Sequence, residues 1–322
     1  MQYLALSFLL TLFTLVLLVK TRLGRLVLDQ PNQRSLHTNV VPRTGGLAIM
    51  AGVLASWLMT AEASLWLALI VGLIMISLLD DIFDLAASWR LLAQLLVSSL
   101  FIWGYASQPH LWLMLALVLA LTWMVNLYNF MDGSDGLAGG MAFFGFSTYA
   151  IAAYLAQDSQ LALMSATVAA ASLAFLFFNF HPARIFMGDA GSVPLGFLAG
   201  SIGLYGYTYQ LWSWWFPLLV FSPFIADASV TLLKRALRGE KIWQAHRSHY
   251  YQRLVQMGWG HQKTALAEYA IMVTAGALAI TLINAQQTTV LIALLFYALA
   301  YGILMLWLDK RWHKFQQTVT SF

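Results

Sequence analysis

Residues 110–155 read HLWLMLALVLALTWMVNLYNFMDGSDGLAGGMAFFGFSTYAIAAYL. An apolar run from His110 to Val125 gives way to a polar, glycine-rich segment from Asn126 to Gly136, and a second apolar run follows from Leu137 to Leu155. A helix needs about 20 mostly apolar residues to cross a hydrocarbon core of about 30 Å, and a barrel strand would alternate in a way that neither run does. Backbone groups in lipid must be satisfied within their own segment, so both runs read as membrane helices with a polar turn between them.

The same pattern repeats in both directions. Further apolar runs extend from Gln2 to Val19, Gly45 to Met59, Ser64 to Leu79, Leu91 to Tyr105, Leu161 to Phe178, Val193 to Tyr207, Leu211 to Leu233, Ala265 to Asn284 and Thr289 to Leu308. The expectation is an all-α, polytopic membrane bundle of about 11 transmembrane helices. Composition agrees: of 322 residues, 61% are hydrophobic and only 9% charged, with a mean hydropathy of +0.73. A soluble domain carries roughly 25% charged residues, so solvated side chains could not cover a globule of this size. The absence of cysteine excludes a disulfide scaffold, a cysteine metal cluster and thiol catalysis.

The basic residues fix the sidedness. Lys20, Arg22, Arg25, Arg34 and Arg43 follow the first run, while Arg90 and Arg184 follow the third and seventh. Lys234, Arg235, Arg238, Lys241, Arg247, Arg253 and Lys263 follow the ninth, and Lys310, Arg311 and Lys314 come after the last. All 17 fall on one side of an alternating model. Short cytoplasmic loops retain Lys and Arg, which places the N-terminus outside, the C-terminus in the cytoplasm and the working loops on the cytoplasmic face. The net charge of +4 is therefore a membrane-orientation signal and does not point to nucleic acid. The first run has no basic residue before it and reads as a retained helix rather than a secretory signal. No repeat or long linker divides the chain, so residues 1–322 read as one domain.

Acidic residues at a membrane edge are costly and favour a functional reading. Asp80-Asp81-Ile82-Phe83-Asp84 directly follows an apolar run. On a continuing helix Asp80 and Asp84 share a face, with Asp81 beside them, and three like charges so close call for a cation, a raised pKa or full solvation. The plainer reading is a solvated loop whose Asp84 or Ser88 caps the next helix. The second cluster, Asn126, Asn129, Asp132 and Asp135 followed by Gly136, Gly139 and Gly140, spaces oxygen donors at threes before flexible turns. It lacks the register and terminal Glu of a calcium loop, and it is too rich in Asn and Asp for an ordinary turn. Gly188-Asp189-Ala190-Gly191-Ser192 lets backbone N–H groups and a carboxylate approach a phosphate or metal together. His246, Arg247, His249 and Arg253 supply more donors than the orientation rule requires and suit a diphosphate.

Taken in order, these segments resemble the polyprenyl-phosphate N-acetylhexosamine-1-phosphate transferases, the family that includes the phospho-MurNAc-pentapeptide translocase. The likeness also takes in Asp29 to His37 and Pro42-Arg43-Thr44-Gly45-Gly46, and so covers essentially the whole chain. The loop departs from the translocase pattern of three consecutive His followed by an acid: His246-Arg247-Ser248-His249 is closer to the branch that starts O-antigen or similar lipopolysaccharide glycans.

The resemblance implies a bacterial inner-membrane enzyme. It would move N-acetylhexosamine 1-phosphate from a UDP-N-acetylhexosamine to undecaprenyl phosphate and release UMP, with Mg2+ as cofactor and Mn2+ as a substitute. Asp189 and Asn129 would then serve the metal, and Asp80 and Asp81 the attacking lipid phosphate. Asp132 and Asp135 would be catalytic, while Asn126, Asn129, His246, Arg247, His249 and Arg253 would bind substrate. A homodimer is compatible with this assignment. Two rival readings are weaker. A CDP-alcohol phosphatidyltransferase needs an Ala-Arg pair after its Asp-Gly, where this chain has Leu137-Ala138-Gly139-Gly140. An ion-coupled transporter would bury several acids at mid-span, whereas Asp227 is the acid that stands well inside a run.

Overall fold

The computed structural model describes residues 1–21, 28–29, 36, 40–60, 64–83, 85–105, 110–241, 244 and 246–320. It is helical almost throughout. In chain order the helices are α1 (Gln2–Lys20), α2 (Gly45–Leu58), α3 (Ser64–Phe83), α4 (Ala87–Tyr105), α5 (Leu111–Phe130), α6 (Leu137–Leu155) and α7 (Ser159–Asn179). They continue as α8 (Asp189–Thr208), α9 (Trp215–Val220), α10 (Ser222–Leu237), α11 (Tyr250–Leu254), α12 (Gly260–Leu282) and α13 (Gln287–Thr320). A single π-turn, Val255–Trp259, joins α11 to α12. The described strands, β1 (Leu28–Asp29) and β2 (Val41–Pro42), form a short antiparallel pair.

Six helical segments among the described residues are long and apolar enough to cross a membrane: α1, α5, α6, α7, the stretch Tyr250–Leu282 and most of α13. That fits a polytopic membrane protein. Every apolar run of the sequence became helical, but the ninth is not one helix. It breaks at Phe221 into α9 and α10. The reason lies in Pro223, which has no N–H for the Leu219 carbonyl; the Ser222 hydroxyl bonds that carbonyl instead, at 2.7 Å. The last helix also outruns its expectation, continuing past Leu308 to Thr320.

Helix α6 packs along α7, α1 against α2 and α7, and α8 against α3 and α5. Polar side chains inside the bundle are tied across helices: Ser7 Oγ donates to Thr167 O at 2.8 Å, and Trp57 Nε1 to Thr167 Oγ1 at 2.9 Å. Such bonds replace water that lipid cannot supply. The loops after α5 and α7 meet at one end of the bundle, beside the segment that precedes α2. There the functional candidates converge.

Candidate active site

The site is built on three backbone hydrogen bonds. Phe186 N donates to Pro42 O at 2.7 Å, Gly45 N to Phe186 O at 2.9 Å and Gly46 N to Met187 O at 2.8 Å. The Pro42-to-Gly46 segment therefore lies edge to edge with the chain entering α8. Gly188 sits at φ +71°, and a Cβ there would come within 2.3 Å of the Arg43 carbonyl, so only glycine fits. Gly46 and Gly191 meet so closely that a Cβ on Gly46 would stand 2.3 Å from the Gly191 Cα. This contact brings Arg43 beside Asp189, the first residue of α8.

Asp29, Arg43, Asn129, Asp132, Ser134, Asp135, Asn179, Gly188, Asp189 and His261 are among the residues lining a cavity of about 230 Å3. Asn129 Oδ1 accepts from Ser192 Oγ at 2.7 Å, and the same amide hydrogen-bonds the Asp189 carboxylate. The second and third sequence clusters are thereby joined. From the other side Arg90 Nη1 reaches Asp80 Oδ2 at 3.0 Å and Asp189 Oδ2 at 3.7 Å, so one guanidinium spans the end of α3 and the start of α8. Burial first, and then the Asp189 charge, hold the Asp132 carboxyl well above the usual carboxylate range, against the pull of the Gly188 N–H and Arg43. Two acids held this close favour a cation or a shared proton.

Asp135 closes the opposite wall. Its Oδ2 accepts from His181 Nδ1 at 2.7 Å and from Ala183 N at 3.1 Å. His261 Nε2 faces the Leu36 carbonyl at 3.2 Å, an acceptor only, which assigns the hydrogen to Nε2. Its Nδ1 then accepts from Ser134 Oγ at 2.9 Å. Asn179 ties the two loops together, accepting from Gly136 N and donating to Ile185 O, each at 2.9 Å.

Of the sequence candidates, then, Asn129, Asp132, Asp135 and Asp189 share one cavity, with Asp80 adjoining through Arg90. The side chain of Asp81, and Asp84 entirely, lie outside the described residues. Asn126 is not brought to the cavity. Its amide nitrogen donates to Gln94 Oε1 at 2.6 Å and Thr122 O at 2.8 Å, fastening α5 to α4. Arg253 also lies outside the cavity lining: it is buried, with Nη1 on Asp309 Oδ1 at 2.8 Å and Nε on Ser248 O at 2.7 Å, and so clamps the loop to α13.

His246 and Arg247 form a separate lip, with His249 buried behind it. It packs on the same loop, since His249 stacks on Phe130 at 6.3 Å and Tyr251 OH donates to Phe130 O at 3.1 Å. Sequence reasoning passed over His261 and Asn179, took Arg90 for an orientation charge, and gave Arg43 no role beyond its place in the Pro42-to-Gly46 motif. The only signal for the two arginines was their adjacency to glycine and acid motifs.

An oxygen-rich wall of carboxylates and an amide suits a hard divalent cation. Among the described residues no three His, Asp or Glu side chains group closely enough to hold a metal alone. Mg2+ here would complete its shell with substrate oxygens and water, as it usually does. Replacing Asp80 by Asn keeps the hydrogen bond to Arg90 but removes the charge. Asp80→Asn is expected to cost at least about tenfold in rate, roughly 1.4 kcal/mol; a rate within twofold of wild type would make Asp80 a partner of Arg90 only.

In this helical bundle the polar loops meet in one acidic, glycine-walled cavity, which can hold a charged group at the end of the apolar helices. Comparison with known proteins is more specific. Residues 63–207 match the model of glycosyl transferase family 4. A probable undecaprenyl-phosphate N-acetylglucosaminyl 1-phosphate transferase of Bacillus subtilis (strain 168) is 35% identical over 267 residues, 76% of this chain and 74% of the relative. A phospho-N-acetylmuramoyl-pentapeptide-transferase of Desulfotalea psychrophila is 29% identical, over 85% of this chain and 89% of its own. An undecaprenyl-phosphate alpha-N-acetylglucosaminyl 1-phosphate transferase of Yersinia pestis is 27% identical, over 78% and 74%. The chain belongs to glycosyl transferase family 4.

Proposed function

We propose that the protein transfers N-acetylhexosamine 1-phosphate from a UDP-sugar to undecaprenyl phosphate, releasing UMP and starting a lipid-linked surface glycan of the O-antigen type. The observation that carries this reading is the Asp80–Arg90–Asp189 bridge beside Asn129 and Asp132. It sets an acid at the end of one membrane helix next to an acidic cavity, where a lipid phosphate and a nucleotide diphosphate would meet. The transfer balances: a lipid-phosphate oxygen attacks the sugar-bearing phosphorus, the bond to the other phosphate breaks, and UMP leaves.

Phosphoryl transfer calls mainly for in-line positioning and charge neutralisation. Mg2+, held by Asp189 with support from Asn129 and Asp132, would neutralise the diphosphate. Arg43 would share that task from the cavity wall, and Arg90 would hold Asp80 toward the acceptor. The incoming phosphate is largely ionised at neutral pH, so Asp80 need only orient it. Arg247 would serve the donor from the lip, with His249 behind it. An apolar groove of about 310 Å3 between α5, α8, α9 and α10, lined by Leu121, Met124, Gly200, Leu204, Phe221 and Ile225 among others, offers a bed for the isoprenoid chain. The broken ninth run forms one wall of it.

This reading places the site at the cytoplasmic face of a bacterial inner membrane, with eleven passes, the N-terminus outside and the C-terminus inside. Single cysteines test that placement against a background with none. One at Thr318 is expected to resist a membrane-impermeant thiol reagent in intact cells, and one at Ser159 to react; labelling at Thr318 would invert the topology. The reaction is tested by UMP release from purified protein supplied with undecaprenyl phosphate, Mg2+ and a panel of UDP-N-acetylhexosamines. Release that depends on both the lipid and one sugar supports the proposal, and no release with any of them overturns it.

A further inference from the structure

One acid inside an apolar run has no part in the reaction as described. Asp227 lies on α10 and is 2% exposed. An ionisable side chain at such depth is costly to keep and points to a definite partner. Its partners all belong to the histidine loop or to its own helix. Oδ1 accepts from Tyr250 N at 2.9 Å, from His249 Nδ1 at 3.2 Å and from Thr231 Oγ1 at 3.2 Å, while Oδ2 accepts from Tyr251 N at 2.9 Å. One carboxylate therefore ties down two successive backbone amides and the imidazole that precedes them.

The bond to His249 has a chemical consequence. A carboxylate only accepts, so the His249 Nδ1 that bonds Asp227 carries the hydrogen, and that bond fixes the tautomer of the ring. The ring cannot easily turn away. It lies 4.8 Å from the His246 ring, 5.9 Å from Tyr251 and 6.3 Å from Phe130. Two residues before Asp227, Ile225 lines the apolar groove. The helix that would bed the lipid chain thus also sets the histidine behind the donor lip.

We infer that Asp227 is a positioning residue: it fixes the tautomer and orientation of His249 and joins the acceptor groove to the histidine loop. The inference rests on the transfer reaction proposed above. A purely structural cap would matter equally whether or not His249 is present, whereas a positioning residue matters only through it, and a double-mutant cycle separates the two. Asp227→Ala is expected to lower kcat at least tenfold in the wild-type background and less than twofold in a His249→Ala background, with the KM for undecaprenyl phosphate unchanged within twofold. Asp227→Asn, which keeps one carbonyl acceptor, provides the same comparison if the alanine variant does not fold. Equal losses in both backgrounds would overturn the inference.

A second arm needs no activity. In 15N-histidine spectra of the detergent-solubilised full chain, with His249 assigned by its loss in His249→Ala, the wild-type ring is expected to be protonated at Nδ1 and to leave that state in Asp227→Ala. An unchanged tautomer would contradict the inference. A wild-type protein that releases no UMP would count against the proposed reaction, and the spectrum would still decide the role of Asp227.

Discussion

Asp189→Ala is expected to lower turnover at least about a thousandfold, equivalent to roughly 4 kcal/mol at the transition state. Asp189 stands where the two glycine-walled segments meet, held by the Asn129 amide and faced by Arg90. Its stabilising interaction with the α8 N-terminus is worth only about 0.3–1 kcal/mol. The variant should be extracted from membranes with its helicity intact, which assigns the loss to chemistry. Excess Mg2+ should not restore it. A rate within tenfold of wild type would remove Asp189 from the chemistry.

Asp132→Asn is expected to separate activity from stability. Removing the charge should cost on the order of a hundredfold in rate, about 2.7 kcal/mol, while making the unliganded protein more resistant to heat. The sign follows from linkage. The folded Asp132 carboxyl lies above its unfolded value because burial and Asp189 oppose its charge. Between the unfolded and folded values the native state binds more protons than the unfolded state, so stability falls as pH rises through that window. The variant has no such slope. Its advantage in thermal midpoint over wild type should be smallest near about pH 4, the ordinary Asp value, and grow above it. An asparagine variant less stable than wild type at neutral pH would mean that Asp132 is held by a counter-charge instead.

Most of the architecture was legible because lipid leaves the sequence little choice. Each apolar run had to satisfy its own backbone, and each became helical. The break in the ninth run was less visible: Pro223 announced a lost hydrogen bond, but a proline alone does not distinguish a kink from two helices. What decided it was Ser222 bonding the Leu219 carbonyl, a side-chain contact that no periodicity records. The extension of α13 to Thr320 was hidden for a different reason, since its last turns are polar and leave the apolar run that marked the helix.

The site divides the same way. Asn129, Asp132, Asp135 and Asp189 stood out because acids and amides beside glycines are out of place between membrane helices. Asn126 looked equivalent by spacing, yet it bonds Gln94 of α4 one turn before Asn129 reaches the cavity. Arg90 was indistinguishable from an ordinary cytoplasmic charge until it proved to bridge Asp80 and Asp189, and Arg43 stood only as part of a motif until the pairing of Pro42-to-Gly46 with Phe186 and Met187 placed it beside Asp189. Asp227 was noticed only as an exception, and its partners in the histidine loop lie more than twenty residues away in sequence.

The central claim is that a sugar phosphate moves, rather than a sugar or an ion. It is tested most directly by following the sugar-bearing phosphorus. Purified protein is incubated with undecaprenyl phosphate, Mg2+ and UDP-N-acetylglucosamine labelled with 32P at that position, alongside other UDP-N-acetylhexosamines labelled in the same way. The expected result is label in the butanol-extractable lipid from at least one donor, with one unlabelled UMP formed per labelled lipid. Label recovered in UDP, with sugar alone on the lipid, would contradict the account, as would label that stays with every intact donor.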